Sequence, residues 1–267
     1  MTTPGTGWLV GGASAPGAAH LRMGKGNEDA AAWLPRSGRG DRIVAAVSDG
    51  HGAQAHFRSA AGSRLAVEQA TRLLAAQMDD PAADEDALAG AILQAWRGAV
   101  LADIAGNPYG PSDPVSPGAR LGPYGATLLT LSADDSALTI LQVGDGDLLL
   151  GYPDGRVVRP LRSDNGLIGE ETYSLCQDDA ETRFRVATLW RDGDDDWPDF
   201  ALLSTDGVSK SYRDDAAFLA AVTRFRDLAR SDWADLMTTL PGWLSDLSAR
   251  GSGDDCTLCI ALRTTTD

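Results

Sequence analysis

Between Ala126 and Leu161 three strand-like segments follow one another with only short turns between them: "ATLLTLS", "ALTILQVGDG" and "DLLLGYPDGRVVRPL". Strands joined this tightly pair antiparallel, because a parallel crossover needs a dozen or more residues. Asp154-Gly155 supplies the positive φ angles of a tight hairpin turn. The segment predicts a meander of antiparallel strands.

Helical patterns flank this run on both sides. Upstream, "DRIVAAVSDG" is a compact β-branched stretch that predicts a buried strand ending at Asp49. Apolar residues then recur near helical spacing from Phe57 to Met78, Pro81 marks a break, and a second helix is expected from Ala87 to Ile104. Gly106 to Gly125 is dense in Gly and Pro and predicts a loop. Downstream, the polar stretch Ser163 to Ala180 precedes the strand candidates "TRFRVATLW" and "DFALLSTDG", with the acidic "RDGDDDW" as a solvated turn between them. Two further helices, Asp214 to Arg230 and Trp233 to Leu247, lead to a last strand, "CTLCIAL". Without regular β-α alternation, this order argues for an α+β layered fold with a sheet-on-sheet core and helix pairs outside. One domain over residues 1–267 is expected.

The formal charge of -15, from 38 acidic and 23 basic residues, argues against a nucleic-acid footprint, which needs clustered Lys and Arg. The stretch "MTTPGTGWLVGGAS" lacks a basic region followed by a long apolar run, and no segment offers the ~18 consecutive apolar residues of a membrane span. A soluble, cytoplasmic protein with no membrane partner is expected. Cys176, Cys256 and Cys259 suit a reducing compartment. Cys256 and Cys259 sit at i and i+3 of a strand, facing opposite ways, so they are read as buried core thiols rather than metal ligands.

Three strand ends share one pattern, an apolar run and then Asp beside Gly: "AAVSDGHG" at Asp49, "LQVGDGD" at Asp145 and "ALLSTDG" at Asp206. "GSGDDCTL" is the mirror case, with Asp254 and Asp255 ahead of a strand. A single Asp-Gly makes a turn. Several carboxylates brought to one rim without Lys or Arg would repel one another, so the set implies a divalent cation. Oxygen-only ligation suits Mg²⁺ or Mn²⁺.

The motifs "NED" (Asn27 to Asp29), "DGHG" (Asp49 to Gly52), "GAT" (Gly125 to Thr127), "VGDGD" (Val143 to Asp147), "STDG" (Ser204 to Gly207) and "GDDCTL" (Gly253 to Leu258) occur in this order. In this the chain resembles the protein phosphatase 2C family of metal-dependent Ser/Thr phosphatases, and "AAHLRMGKGNEDA" is similar to its bacterial branch. The resemblance implies a four-layer α-β-β-α sandwich of two antiparallel sheets flanked by helix pairs. It further implies that Asp49 bridges two Mn²⁺ or Mg²⁺ ions and that the Gly50 carbonyl binds one of them, supported by Glu28. Asp206 and Asp254 would complete the other site. Asp145, with Asp206, resembles the pair that holds a third, weaker ion. His51 would be the general acid for the departing oxygen. His56 is read as a packing or capping residue, and His20 is left unassigned.

Arg22 is the candidate guanidinium for phosphate, although the family spacing places Arg where this chain has Gly24, with Lys25 next to it. Asp255 stands where Asn is common and Asp147 where Arg is often found, both adding negative charge. The implied substrate is a phosphorylated protein, a Ser/Thr kinase or its targets, acted on by a monomer. A catalytically silent module that binds a phosphorylated partner, or a small-molecule phosphohydrolase, would share these motifs. Specificity is expected in Ser163 to Ala180 and in the loop before Gly125.

Overall fold

A computed structural model describes residues 6–79, 85–116, 118–162, 172–193 and 196–265. In chain order the elements are β1 (Thr6–Ala15), α1 (Ala18–Arg22), β2 (Ala30–Leu34), β3 (Arg39–Gly40), β4 (Ile43–Ser48), α2 (Ser59–Gln77) and α3 (Glu85–Gly106). The strands β5 (Leu128–Ala133), β6 (Ala137–Val143), β7 (Asp147–Gly151), β8 (Val157–Val158), β9 (Arg185–Trp190) and β10 (Phe200–Ser204) follow. The chain closes with α4 (Asp206–Ser209), α5 (Asp215–Ser231), α6 (Trp233–Arg250) and β11 (Cys256–Thr265).

The strands form two antiparallel sheets, one in the order β3-β1-β11-β10-β7-β8 and the other β2-β4-β5-β6-β9. β4 shows why the apolar run "IVAAV" does not alternate with polar residues. Ile43, Ala45 and Val47 pack between the two sheets, against Trp8, Leu131 and Leu203. Val44 and Ala46 face the other way, into a core shared with Leu74 of α2 and Ile92 and Trp96 of α3. A strand buried on both faces has no position for a polar side chain. The third core lies between the first sheet and the α5/α6 pair, with Leu202, Phe218, Val222, Leu240 and Leu258. Each such side chain contributes about 1.5–3 kcal/mol when fully buried. The result is the four-layer α-β-β-α sandwich expected above.

The meander does not stay in one sheet. β5 and β6 pair in the second sheet, whereas β7 and β8 pair in the first, so the chain changes sheets at Gly144–Gly146. Gly144 takes φ +98°, and a Cβ there would sit 2.5 Å from the Thr127 side chain. The hairpin forms, but of Asp154-Gly155 only Gly155 takes a positive φ (+93°), and the turn is closed by Gly155 N–H donating to the Tyr152 carbonyl at 3.0 Å. The Cys256 and Cys259 thiols lie in different cores on opposite faces of β11, and burial pushes each up to about 12.

Asp214 and Asp232 cap α5 and α6, accepting the backbone N–H of Ala217 (2.8 Å) and Asp235 (2.9 Å). Ala87–Gly106 of α3 is long and apolar enough in composition to cross a membrane. In the fold its Ile92, Leu93, Trp96 and Val100 are fully buried against α2 and the second sheet, which accounts for its apolar character. Residues 163–171, within the segment proposed for specificity, and 194–195 of the acidic turn lie outside the described residues.

Candidate active site

Strand register alone brings the acidic residues to one rim. Ala30 pairs with Ser48, so Asp29 before β2 and Asp49 after β4 are neighbours. Ser204 pairs with Leu258, which sets Asp206, just after β10, beside Asp254 and Asp255 ahead of β11. Leu128 pairs with Val143, and the change of sheets that follows carries Asp145 to the same end. A cavity of about 460 Å³ opens there, lined by Asp49, His51, Asp145, Asp206, Lys210 and Asp254 among others. A larger apolar groove of about 580 Å³ runs between α5 and α6 and is lined by none of these carboxylates.

Asp49 is held through its backbone. Its N–H donates to Thr127 Oγ1 (3.0 Å) and its carbonyl accepts from Thr127 N–H (2.8 Å). The next residue, Gly50, faces Ala126 in an isolated antiparallel bridge whose bonds belong to its neighbours, His51 N–H donating to Gly125 O at 3.1 Å. In such a pair the central carbonyl points away from the partner strand. A Cβ on Gly50 would collide with the Glu28 carbonyl oxygen, so only glycine fits.

Asp29 is a member of the cluster that sequence reasoning did not assign. Its Oδ2 accepts the Thr205 hydroxyl (2.8 Å). The available signal was the "NED" motif, whose Asp29 stands directly ahead of β2. The Glu28 carboxylate lies beside the Asp49–Gly52 loop, its Oε2 3.5 Å from where a Gly52 Cβ would sit, buried without a hydrogen-bond partner among the described residues and 3.8 Å from Lys25 Nζ. Asp206 Oδ2 pairs with Lys210 Nζ at 2.5 Å while its Oδ1 is buried without a hydrogen-bond partner among the described residues. Asp254 is 43% exposed and accepts the Asp255 N–H through Oδ1 (2.9 Å).

The carboxyls raise one another's pKa. Burial first, then the charges of Asp29, Asp206 and Asp254, push Asp49 well above the usual carboxylate range. Asp29 rises for the same reasons, burial and then Asp255, against the pull of its Thr205 hydrogen bond. Burial and Asp206 raise both Asp145 and Asp254. An unpartnered carboxylate oxygen inside a set of like charges is the condition a divalent cation relieves, and the candidate donors Asp49, Gly50, Asp206 and Asp254 would all offer oxygen, as Mg²⁺ or Mn²⁺ prefers.

This has a pH signature. A carboxyl raised in the folded state holds its proton more tightly there, so these groups stabilise the metal-free fold as pH falls and lose that contribution as pH rises through the raised value. Ions displace those protons. The Mn²⁺-induced rise in Tm is therefore expected to be larger at about pH 8 than at about pH 6, checked by thermal scans with and without Mn²⁺. Equal rises would contradict the raised carboxyls.

Two histidines close the opposite wall. His51 and His56 meet edge to face with ring centroids 5.0 Å apart, and His56 Nδ1 lies 2.5 Å from Gly122 O. Gly125 makes this possible, because a Cβ there would sit 2.5 Å from His56 Nδ1 and 2.7 Å from His51 Cδ2. Burial and His56 lower His51 to about 4, partly opposed by Asp206.

The family model for protein phosphatase 2C matches residues 16–245. The chain belongs to the protein phosphatase 2C family. No curated protein matches the sequence significantly. Among solved structures, the catalytic domain of the serine/threonine phosphatase PstP in complex with 2 manganese ions is similar at 20% identity, with 97% of this chain and 99% of that one covered and a TM-score of 0.60. PppA, described as a key regulatory component of T6SS in Pseudomonas aeruginosa, is 21% identical over 96% of this chain and 98% of its own, with a TM-score of 0.60. The Mycobacterium tuberculosis phosphatase PstP/Ppp is 19% identical over 96% and 98%, with a TM-score of 0.58. These likenesses show the fold of this phosphatase family.

Within that family frame, the departures noted in the sequence find physical places. Asp255 is buried and spends both oxygens on backbone N–H groups, Gly17 at 2.5 Å and Glu28 at 2.7 Å. It ties α1 and the Glu28 segment to β11. His20 packs beside it, Nδ1 3.1 Å from Asp255 Oδ1, and with Glu28 these offer ligand atoms within 4.8 Å of one another. The Asp147 charge is taken up by Arg159 (3.1 Å), which also pairs with Asp215. Arg22 is exposed at the end of α1 beside Gly253 and does not line the cavity. Lys25 comes closer, its Nζ donating to the Gly52 carbonyl at 2.7 Å. Lys210, inside the cavity, was not anticipated.

Proposed function

We propose that this chain is a Mn²⁺- or Mg²⁺-dependent phosphatase that hydrolyses phosphoserine and phosphothreonine in proteins. The observation that carries the reading is the mutually repelling set Asp29, Asp49, Asp206 and Asp254 with the Asp206 Oδ1 left unpartnered. Asp49, Asp206, Asp254 and the Gly50 carbonyl would hold a pair of divalent ions, which when bound supply an activated water and neutralise phosphoryl oxygens. Thr127 fixes Asp49 from both backbone sides, and Thr205 orients Asp29 behind it.

His51 supplies the proton for the departing Ser or Thr oxygen. It is neutral near pH 7 without substrate, and a phosphoryl dianion in the cavity favours its imidazolium form. It therefore takes up a proton as substrate binds and gives it to the leaving group. Lys25, anchored on the Gly52 carbonyl, is better placed than Arg22 to meet the phosphate.

The exposed Arg22 favours a second reading, a catalytically silent module that holds a phosphorylated partner. One experiment separates the two. The purified chain is expected to hydrolyse phosphoserine and phosphothreonine peptides only with Mn²⁺ or Mg²⁺ and to stop when the ions are chelated. Inactivity with Mn²⁺ across a broad phosphopeptide panel, together with retained phosphopeptide binding, would establish the silent module. Hydrolysis confined to small phosphate esters would move the substrate away from proteins.

A further inference from the structure

Among the described residues lining the carboxylate cavity, Lys210 is the only one with a permanent positive charge. Its position follows from the local fold. Asp206 opens the single turn of α4, and Lys210, four residues on, donates its backbone N–H to the Asp206 carbonyl at 2.8 Å. Residues at i and i+4 of a helical turn lie on one face. The ammonium therefore returns over Asp206 and reaches Oδ2 at 2.5 Å. Across the cavity stands Asp145, on the turn where the chain changes sheets, with its Oδ1 accepting the Thr172 hydroxyl at 2.9 Å.

Asp206 is thereby divided. Among the described residues Oδ1 is buried and has no hydrogen-bond partner, as a ligand shared with Asp49 and Asp254 would be, whereas Oδ2 is committed to Lys210. Asp145 and Asp254 line the same cavity, so the ammonium has further carboxylates around it. A further divalent ion bound by Asp206 and Asp145 would compete with Lys210 for the Asp206 carboxylate. It would have to displace a tethered cation that is always present at the site, so a weak ion is at a disadvantage there.

We propose that Lys210 is a positioning residue that occupies the cation place between Asp206 and Asp145 and excludes a third divalent ion from it. The loaded protein then carries two ions, and the side chain expected to hold a third, Asp145, shares its cavity with an ammonium. This rests on the metal-dependent phosphatase reading above. It adds that this chain meets part of its site charge from its own sequence, which lowers the repulsion the metal-free fold must withstand.

The test is an ion count. Native mass spectrometry of the full chain in excess Mn²⁺ is expected to show two ions on the wild type and on Lys210→Arg, three on Lys210→Ala, and two again on Lys210→Ala/Asp145→Ala. The metal-free Tm of Lys210→Ala is expected to fall below that of Lys210→Arg, because only the former leaves Asp206 uncompensated. Three ions on the wild type, or two on Lys210→Ala, would overturn the assignment while leaving a two-ion phosphatase standing. No bound ion on any of the four proteins would instead sink the metal-dependent reading, and this proposal with it.

Discussion

Asp49→Asn is expected to raise the Tm of the metal-free chain, abolish its Mn²⁺ response and cut phosphatase activity by more than about 100-fold, since even outer-shell changes cost 10–100-fold at metal sites. Stability and activity move in opposite directions here for one physical reason. Burial and three neighbouring carboxylates oppose the ionised Asp49, so the fold bears a repulsion that an amide removes. The backbone bonds to Thr127 do not depend on the side chain and survive the change. For a chain of this size each kcal/mol relieved moves Tm by about 2–4 °C. Differential scanning fluorimetry with and without Mn²⁺, beside a phosphopeptide assay, reads all three quantities. A variant that melts lower without metal and still responds to Mn²⁺ would show that Asp49 is neither strained nor a ligand.

Asp199→Ala is expected to cost about 3–5 kcal/mol of stability, the range for breaking a buried ion pair from one side. Arg226 on α5 is only 7% exposed and donates through Nε and Nη2 to the two Asp199 oxygens, at 2.8 and 2.7 Å. Arg230 adds a contact to Asp199 at 3.2 Å. Without the carboxylate the Arg226 guanidinium is stranded under the first sheet. A fall in Tm of roughly 10 °C follows, and Asp199→Ala/Arg226→Met should recover much of it. Asp199 lies ahead of β10 and Asp206 beyond its far end, so Mn²⁺ dependence should persist in the folded fraction. Urea unfolding of the single and double variants checks the result, and a loss below about 1 kcal/mol would mean that the pair behaves as an exposed one.

Much of this architecture was legible because the signals are local. The run "IVAAV" required a strand covered on both faces, the helix pairs announced themselves by spacing and by Asp214 and Pro81, and the Asp-Gly ends marked where strands stop. What was not legible depends on which strands become neighbours. The strands from Ala126 to Leu161 read as one meander, because nothing in "VGDGD" says that the sheet changes there. The role of Asp29 needed the Ala30–Ser48 register, and Lys210 needed Asp206 to begin a helical turn rather than end in a loop. Arg22 and Lys25 illustrate the converse, since spacing alone did not say which cation would turn toward the Gly52 carbonyl.

The pairing of β11 between β1 and β10 sets an order in time. As the chain leaves the ribosome, Asp29, Asp49, Asp145 and Asp206 are made first, while the first sheet still lacks an inner strand between β1 and β10. Asp254 comes with the strand that fills the gap, and β11 pairs with β1 along its whole length, from Ala15↔Cys256 to Thr6↔Thr265. Without β11 the first sheet lacks its inner strand and the proposed ligand set lacks Asp254. Completion of the first sheet and completion of the proposed metal site would therefore fall to the same strand.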